Sequence, residues 1–282
     1  MKETRVIFSD IDDTITFTKN EDGKKVRVID RKAIAKVKKL VKLGYKVAFI
    51  TGKAEDYVRK EFIPLLDGFG IRNDIPIYGE QGFYEITGKK GVTMLPEAKA
   101  FLPQRARIIE EIKKEAKKHS INFVDVPRET KQVMVYFKLA NPTPENRAEL
   151  KKISLEAIAN LRTRGEVSHK IAVNPTRSGC DIYPDTTSKA NAVNAVLKKW
   201  GVSENVRGRA YGDMYVDLRL AQKPRVRFYR IDAESKQFIK EISHLNFKFW
   251  VRKMRGRIAS VKRKIPRKIR KPLAIMRRVF PK

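Results

Sequence analysis

The chain has 282 residues, with 63 Lys and Arg against 32 Asp and Glu, a formal net charge of +31 and 41% hydrophobic residues. It is long enough for more than one ordinary domain and apolar enough to bury a core, which excludes a disordered polycation. No apolar run is long enough to span a bilayer, and Cys180 alone rules out an internal disulfide, so a reducing, cytoplasmic setting is expected.

Lys2-Glu3-Thr4-Arg5 leads straight into the first element, leaving no room for a signal peptide. That element is the apolar run Val6-Ile7-Phe8, which predicts a buried strand, and Asp10-Ile11-Asp12-Asp13-Thr14-Ile15 follows it. Acids at the carboxyl end of such a strand fall in the crevice where open α/β sheets bind ligands; a solvated acidic turn is the alternative. A second strand, Val47-Ala48-Phe49-Ile50, delivers Thr51 and Gly52, a hydroxyl and free N–H groups suited to an anion. Glu80, Gln81 and Gly82 then form a polar hinge or a plain turn.

From about residue 83 to 185 the pattern changes. Strands are predicted at 83–86, 92–95, 121–126, 132–139, 170–173 and 181–183, and helices at 97–118 and 144–161, together a compact α+β unit. Arg177 lies on a turn near its end and could reach a sugar hydroxyl, a carboxylate or a second phosphate, with a solvated loop as the alternative. Cys180 is expected in the core, and a Cys180–His169 nucleophilic pair is disfavoured because no third group orients it.

Lys189 opens a helix predicted over 188–199, and Gly212-Asp213-Met214-Tyr215-Val216-Asp217 follows a further strand. Asp10, Asp12, Asp213 and Asp217 in one crevice would repel one another unless a hard divalent cation sits among them. Mg²⁺, which takes oxygen ligands and retains water and phosphate, suits that set. The substrate is then an anion, held by Thr51, Gly52 and Lys189.

The ordered set Asp10-x-Asp12-x-Thr14, Thr51, Lys189 and Gly212-Asp213-x-x-x-Asp217 resembles the four motifs of the haloacid dehalogenase-like (HAD) hydrolase superfamily over about residues 1–243. The resemblance implies an α/β fold: a Rossmann-like core with a parallel sheet from residues 1–82 and 186–243 and an inserted α+β cap domain at 83–185; the charge and spacing of residues 244–282, beyond the resemblance, predict a basic helical extension. It implies that Asp10 is the nucleophile, that Asp12 is the general acid/base, and that Asp10, the Asp12 carbonyl and Asp213 hold Mg²⁺. Asp217 would fix that arrangement, and Thr51, Gly52 and Lys189 would bind the phosphoryl oxygens. Thr14 is the natural partner to orient Asp12, with ordinary turn chemistry as an equal alternative.

The large cap resembles that of sucrose-phosphate, trehalose-phosphate and mannosylphosphoglycerate phosphatases, archaeal phosphoglycolate phosphatases and phosphomannomutases. A mutase ranks second, since the arginine-rich cap motif of the phosphomannomutases has no counterpart here. Substrate-specific contacts are expected from the cap, with Arg177 and Glu80 as candidates. Four departures from the family pattern stand out: Asp13 and Ala190 where glycine is usual, and Met214 and Val216 where serine and asparagine are usual. The last two cannot orient a carboxylate through their side chains.

Residues 244–282 contain 15 of the basic residues and no acid, so the remainder still holds 48 bases against 32 acids. Apolar residues recur there at three- and four-residue spacing, interrupted by Pro266 and Pro272. An anionic membrane surface engaged peripherally, with Phe247, Phe249 and Trp250 as anchors, is the leading expectation. Packing on the chain itself or on a partner protein comes next. RNA is placed last, because no aromatic RNA-stacking motif accompanies the charge. The activity expected is a Mg²⁺-dependent phosphatase acting on a small phosphorylated substrate, a sugar phosphate or other small organic phosphate.

Overall fold

The computed structural model describes residues 3–87, 91–124, 131–167, 170–176, 178–185, 189–202, 206–231 and 237–245. Arg177, His169, residue 188 of the predicted helix and residues 246–282 of the basic extension lie outside them.

The centre is a seven-stranded sheet. In chain order its strands are β1 (Thr4–Ser9), β4 (Lys46–Ile50), β5 (Ile77–Gly79), β6 (Tyr84–Thr87), β7 (Gly91–Met94), β12 (Val206–Gly212) and β13 (Val226–Arg230), and in space they run β13-β12-β1-β4-β5-β6-β7. The first five of that spatial order are parallel, while β6 and β7 join antiparallel at the edge. The strands at 83–86 and 92–95 therefore extend the core sheet, where the sequence pattern had grouped them with the inserted unit. A tight link, Glu80–Gly82, connects β5 to β6, and a short link turns a strand back on its predecessor, whereas a parallel partner needs a long crossover.

Apolar residues cover both faces of the middle strands, as a sheet buried on both sides requires. On one face α1 (Arg31–Lys42) buries Ala33, Ile34, Val37 and Leu40 at helical spacing, started by Asp30, whose Oδ1 accepts from Lys32 N at 2.7 Å. The same core takes in α2 (Glu55–Tyr57) and α3 (Ile63–Gly68) through Val58, Phe62 and Leu66. On the other face α6 (Lys189–Lys199) packs Ala192, Val193, Val196 and Leu197 against Val6 and Phe8.

Between β1 and α1 the chain forms a hairpin that the sequence pattern did not reveal, β2 (Thr16–Glu21) with β3 (Lys24–Ile29). Its turn residues Asp22 and Gly23 have φ of 50° and 74°, the two left-handed positions of a tight hairpin turn.

The inserted unit has helices α4 (Pro96–Lys118) and α5 (Pro144–Thr163). They pack on a four-stranded sheet ordered β10-β11-β9-β8, with β8 (Phe123–Val124), β9 (Val135–Leu139), β10 (Ile171–Pro175) and β11 (Gly179–Pro184). All described pairs in this sheet are antiparallel, and Cys180 is buried in β11. Among the described residues no helix is long and apolar enough to cross a membrane.

Candidate active site

Three chain segments converge beyond the carboxyl ends of β1, β4 and β12. Asp10 directly follows β1, and its N–H donates to the Tyr211 carbonyl of β12 at 2.9 Å, so the neighbouring strand fixes its backbone. Asp213 directly follows β12, and the 3₁₀ turn Tyr215–Ala221 brings Asp217 back beneath it. A Cβ on Gly212 would overlap the Asp217 side chain, so only glycine lets the strand end lie against that carboxylate.

Lys189, the first residue of α6, is 3% exposed, and its ammonium donates to both Asp10 Oδ1 and Asp217 Oδ1, the latter at 2.5 Å. Asp217 also accepts from Met214 N at 2.9 Å through Oδ2. Main chain at Met214 thus performs the orienting role that its side chain cannot.

Carboxylate oxygens of Asp10, Asp213 and Asp217 lie within 4.8 Å of one another. Burial raises the Asp10 carboxyl well above its ordinary value, and Asp217 and Asp12 add to the rise while Lys189 opposes it. Asp213 is pushed up to about 6 by burial and by the negative charges of Asp217 and Asp13. Burial works against the charge of Lys189, but Asp10 and Asp217 outweigh it and hold the ammonium protonated. One ammonium shared by two of three acids leaves the cluster short of positive charge. All-oxygen donors with that deficit are what a hard divalent cation such as Mg²⁺ needs, so these residues fit the metal.

Asp12 stands further out, with Lys53 Nζ at 3.8 Å from its Oδ1, and that oxygen has no hydrogen-bond partner among the described residues. Burial raises its carboxyl too, against the pull of Lys53 and Arg27. A carboxyl raised by burial, with one oxygen lacking a hydrogen bond among the described residues, can exchange a proton with a ligand. Asp13, at φ 50°, is ion-paired to Arg27 of β3.

Thr14 is fully buried and its hydroxyl has no hydrogen-bond partner among the described residues, so the expected contact with Asp12 is not made. Thr51 is buried with its Oγ accepting from Lys53 N at 3.2 Å, which shapes the turn and leaves Gly52 to form the cavity wall.

Glu80, expected beside the substrate, is fully buried and committed elsewhere. One carboxylate oxygen accepts from Gln132 N at 2.6 Å and from Tyr84 OH at 3.1 Å, and the other from Val133 N at 2.9 Å and Met134 N at 2.7 Å. Burial raises its carboxyl despite these three N–H groups. It ties the core to the inserted unit.

The acids open into a cavity of about 1120 Å³ whose far wall belongs to the inserted unit. Arg147 and Lys151 of α5, Asn174 and Thr176 beside the position of Arg177, and Asp181 of β11 line that wall. Sequence reasoning missed Arg147 and Lys151. Their signal was a basic pair four residues apart on a helix whose other face carries the buried Leu150, Ile153 and Ala157.

The sequence matches no protein-family model and no curated protein. Solved structures do resemble it. A trehalose-6-phosphate phosphatase of Aspergillus fumigatus aligns with TM-score 0.57 at 14% identity, over 87% of this chain and 93% of that one. The carboxyl-terminal domain of the Candida albicans trehalose-6-phosphate phosphatase gives 0.58 at 12%, over 86% and 92%. An IMP-nucleotidase of Plasmodium falciparum gives 0.57 at 14%, over 87% and 70%. The shared property at this identity is the fold: like these phosphatases, the chain has a largely parallel α/β sheet with an inserted α+β unit.

Proposed function

We propose that the protein is a Mg²⁺-dependent phosphatase that hydrolyses a small phosphomonoester, a sugar phosphate above all, through a phosphoryl group carried on Asp10. The observation that carries this reading is the position of the Asp10 carboxylate, buried at the floor of a cavity and held by Lys189, with Asp12 two residues further out.

Asp10 and Asp213, with the Asp12 carbonyl, would hold the cation, since Asp217 is already engaged by Lys189 and Met214 N. When bound, the cation neutralises phosphoryl charge and keeps Asp10 ionised. Lys189 fixes the direction of the Asp10 carboxylate, so that attack on phosphorus is in line and costs little reorganisation. The bond from Asp10 oxygen to phosphorus forms as the bond from phosphorus to the substrate oxygen breaks, and Asp12 gives its proton to that leaving oxygen. Asp12, now a carboxylate, takes a proton from water, which attacks the phosphoryl group and regenerates Asp10. Gly52 offers main-chain N–H groups to the phosphoryl oxygens at the cavity wall.

The far wall supports a sugar as the leaving group. Arg147, Lys151, Asn174, Thr176 and Asp181 supply donors and acceptors at a distance from the acids, a polar lining suited to hydroxyls or a second anionic group. The likeness to trehalose-6-phosphate phosphatases points the same way.

The test is release of inorganic phosphate from a panel of sugar phosphates and nucleoside monophosphates, with Mg²⁺ or with EDTA. Metal-dependent turnover by the wild type and none by Asp10→Asn is expected. Conversion of a sugar 1-phosphate to its 6-phosphate without phosphate release would instead identify a mutase, and turnover by Asp10→Asn would overturn the assignment.

A further inference from the structure

At the opposite end of the same sheet lies a second cavity, of about 230 Å³, whose walls are arginines. Arg5 is at the start of β1, five residues before Asp10, so the two sites are about 16 Å apart along the strand. Arg207 and Arg209 come from β12, and Arg225 and Arg227 stand at the start of β13. Register places Arg5 opposite Arg207, and Arg209 opposite Arg227, on adjacent strands of a parallel sheet. Like charges facing across neighbouring strands destabilise a sheet unless an anion sits between them.

The described acids neutralise this group only in part. Glu3 pairs with Arg225 at 2.9 Å and Glu241 with Arg209 at 2.8 Å, while none of the described acids pairs with Arg207 or Arg227. Arg207 and Arg227 have no partner among the described residues and are exposed. Aromatic rings hold two of the others in place: Arg5 lies 5.7 Å from the Tyr45 ring centroid and Arg209 4.4 Å from that of Tyr229. Leu245 also lines the cavity, and the chain beyond it, residues 246–282, has 15 Lys and Arg and no acid.

We infer that this cavity is a binding site, separate from the Asp10 centre, for a phosphate-type oxyanion carrying two or more charges. Guanidinium forks match phosphate oxygens bidentately, and arginines from three adjacent strands line one small volume. Tyr45 after α1, Tyr229 of β13 and Leu245 also line it, so it is a pocket for a compact group rather than a stripe for a polymer.

The test uses the full-length protein and inorganic pyrophosphate in isothermal titration calorimetry, comparing wild type with Arg207→Ser/Arg227→Ser and with Lys117→Ser/Lys152→Ser. The last pair removes the same charge from exposed positions on α4 and α5. The cavity variant should bind one anion fewer than the wild type, or bind it at least about tenfold more weakly, with phosphate release at Asp10 unchanged. The control variant should keep wild-type stoichiometry.

Because the reading is a difference of one site, it holds whether or not pyrophosphate also occupies the Asp10 centre, and so stands apart from the proposed phosphatase activity. A parallel arm measures sedimentation with phosphatidylcholine vesicles, with and without phosphatidic acid. Loss of vesicle binding in the cavity variant identifies a lipid headgroup as the source of the anion. Loss of pyrophosphate binding alone identifies a soluble one. Unchanged binding of both, or an equal loss in the control variant, overturns the site.

Discussion

The ammonium of Lys189 lies 2.5 Å from Asp217 Oδ1, with both side chains almost wholly removed from solvent. The same ammonium also holds Asp10, so one cation at the start of α6 fixes acids from the ends of two strands. Its removal leaves two buried carboxylates without a counter-charge. Lys189→Met is therefore expected to abolish turnover and to lower stability by about 3–5 kcal/mol, measured by urea denaturation of the metal-free protein. A variant of wild-type stability would show that the acids do not depend on this lysine.

The pH behaviour of the cluster follows from Asp213. Its folded carboxyl is pushed up to about 6 from an ordinary value of 3.8, so the folded state binds the proton more tightly than the unfolded state. The stabilisation is fully present below the unfolded value and is lost as pH rises through about 6. Compared with Asp213→Asn, the metal-free wild type should lose on the order of 1–2 kcal/mol between pH 4 and pH 7.5, partial exposure screening the rest. Mg²⁺ should raise the melting temperature at pH 7.5 and have little effect at pH 5, where protons compete for the same oxygens. An equal Mg²⁺ effect at both values would place the ion elsewhere.

Selectivity should be separable from chemistry through α5. Arg147 and Lys151 face the cavity but belong to the wall opposite the acids. Arg147→Ser/Lys151→Ser is expected to raise KM for the preferred sugar phosphate by about tenfold or more while changing kcat little, because contacts to the non-reacting part of a substrate act on binding of both ground and transition states. Steady-state kinetics on the preferred substrate and on para-nitrophenyl phosphate checks this. An equal effect on both substrates would mean the pair acts on the phosphoryl group itself.

What could be read from the chain divides along a physical line. Asp10, Asp12, Lys189, Asp213 and Asp217 were legible because each sits at the end or start of a strongly patterned element, so local sequence sets its place. The edge strands β6 and β7 were legible as strands, but their sheet depended on the short link at Glu80–Gly82. Arg147 and Lys151, adjacent on α5, meet the acids only through tertiary packing, as the arginines of three strands meet at the second cavity, and each alone looks like a solvated charge. Thr14 is where the pattern puts it, but its buried hydroxyl makes no bond to Asp12, whereas Thr51 accepts from Lys53 N and keeps its O–H proton to donate.

Glu80 shows how the two parts of the molecule are joined. Glu80, Gln81 and Gly82 all have positive φ, at 45°, 65° and 98°. For the two non-glycine residues such backbone costs on the order of 1–3 kcal/mol each. Gly82 is required in a second sense, because a Cβ there would come within 2.7 Å of Ala192 Cβ on α6, the helix that carries Lys189. The strain is offset by what it permits: Glu80 N donates to Lys53 O at 2.9 Å, Gln81 N to Thr51 O at 2.7 Å, and the Glu80 carboxylate accepts from three successive N–H groups of the inserted unit. Glu80→Gln keeps the size of the side chain but turns one acceptor oxygen into a donor facing donors. A loss of about 3 kcal/mol is expected, with faster proteolysis at the junction of the two units. Denaturant midpoints and limited trypsin digestion measure both effects, and a variant as stable and as resistant as the wild type would show that the joint is held by packing alone.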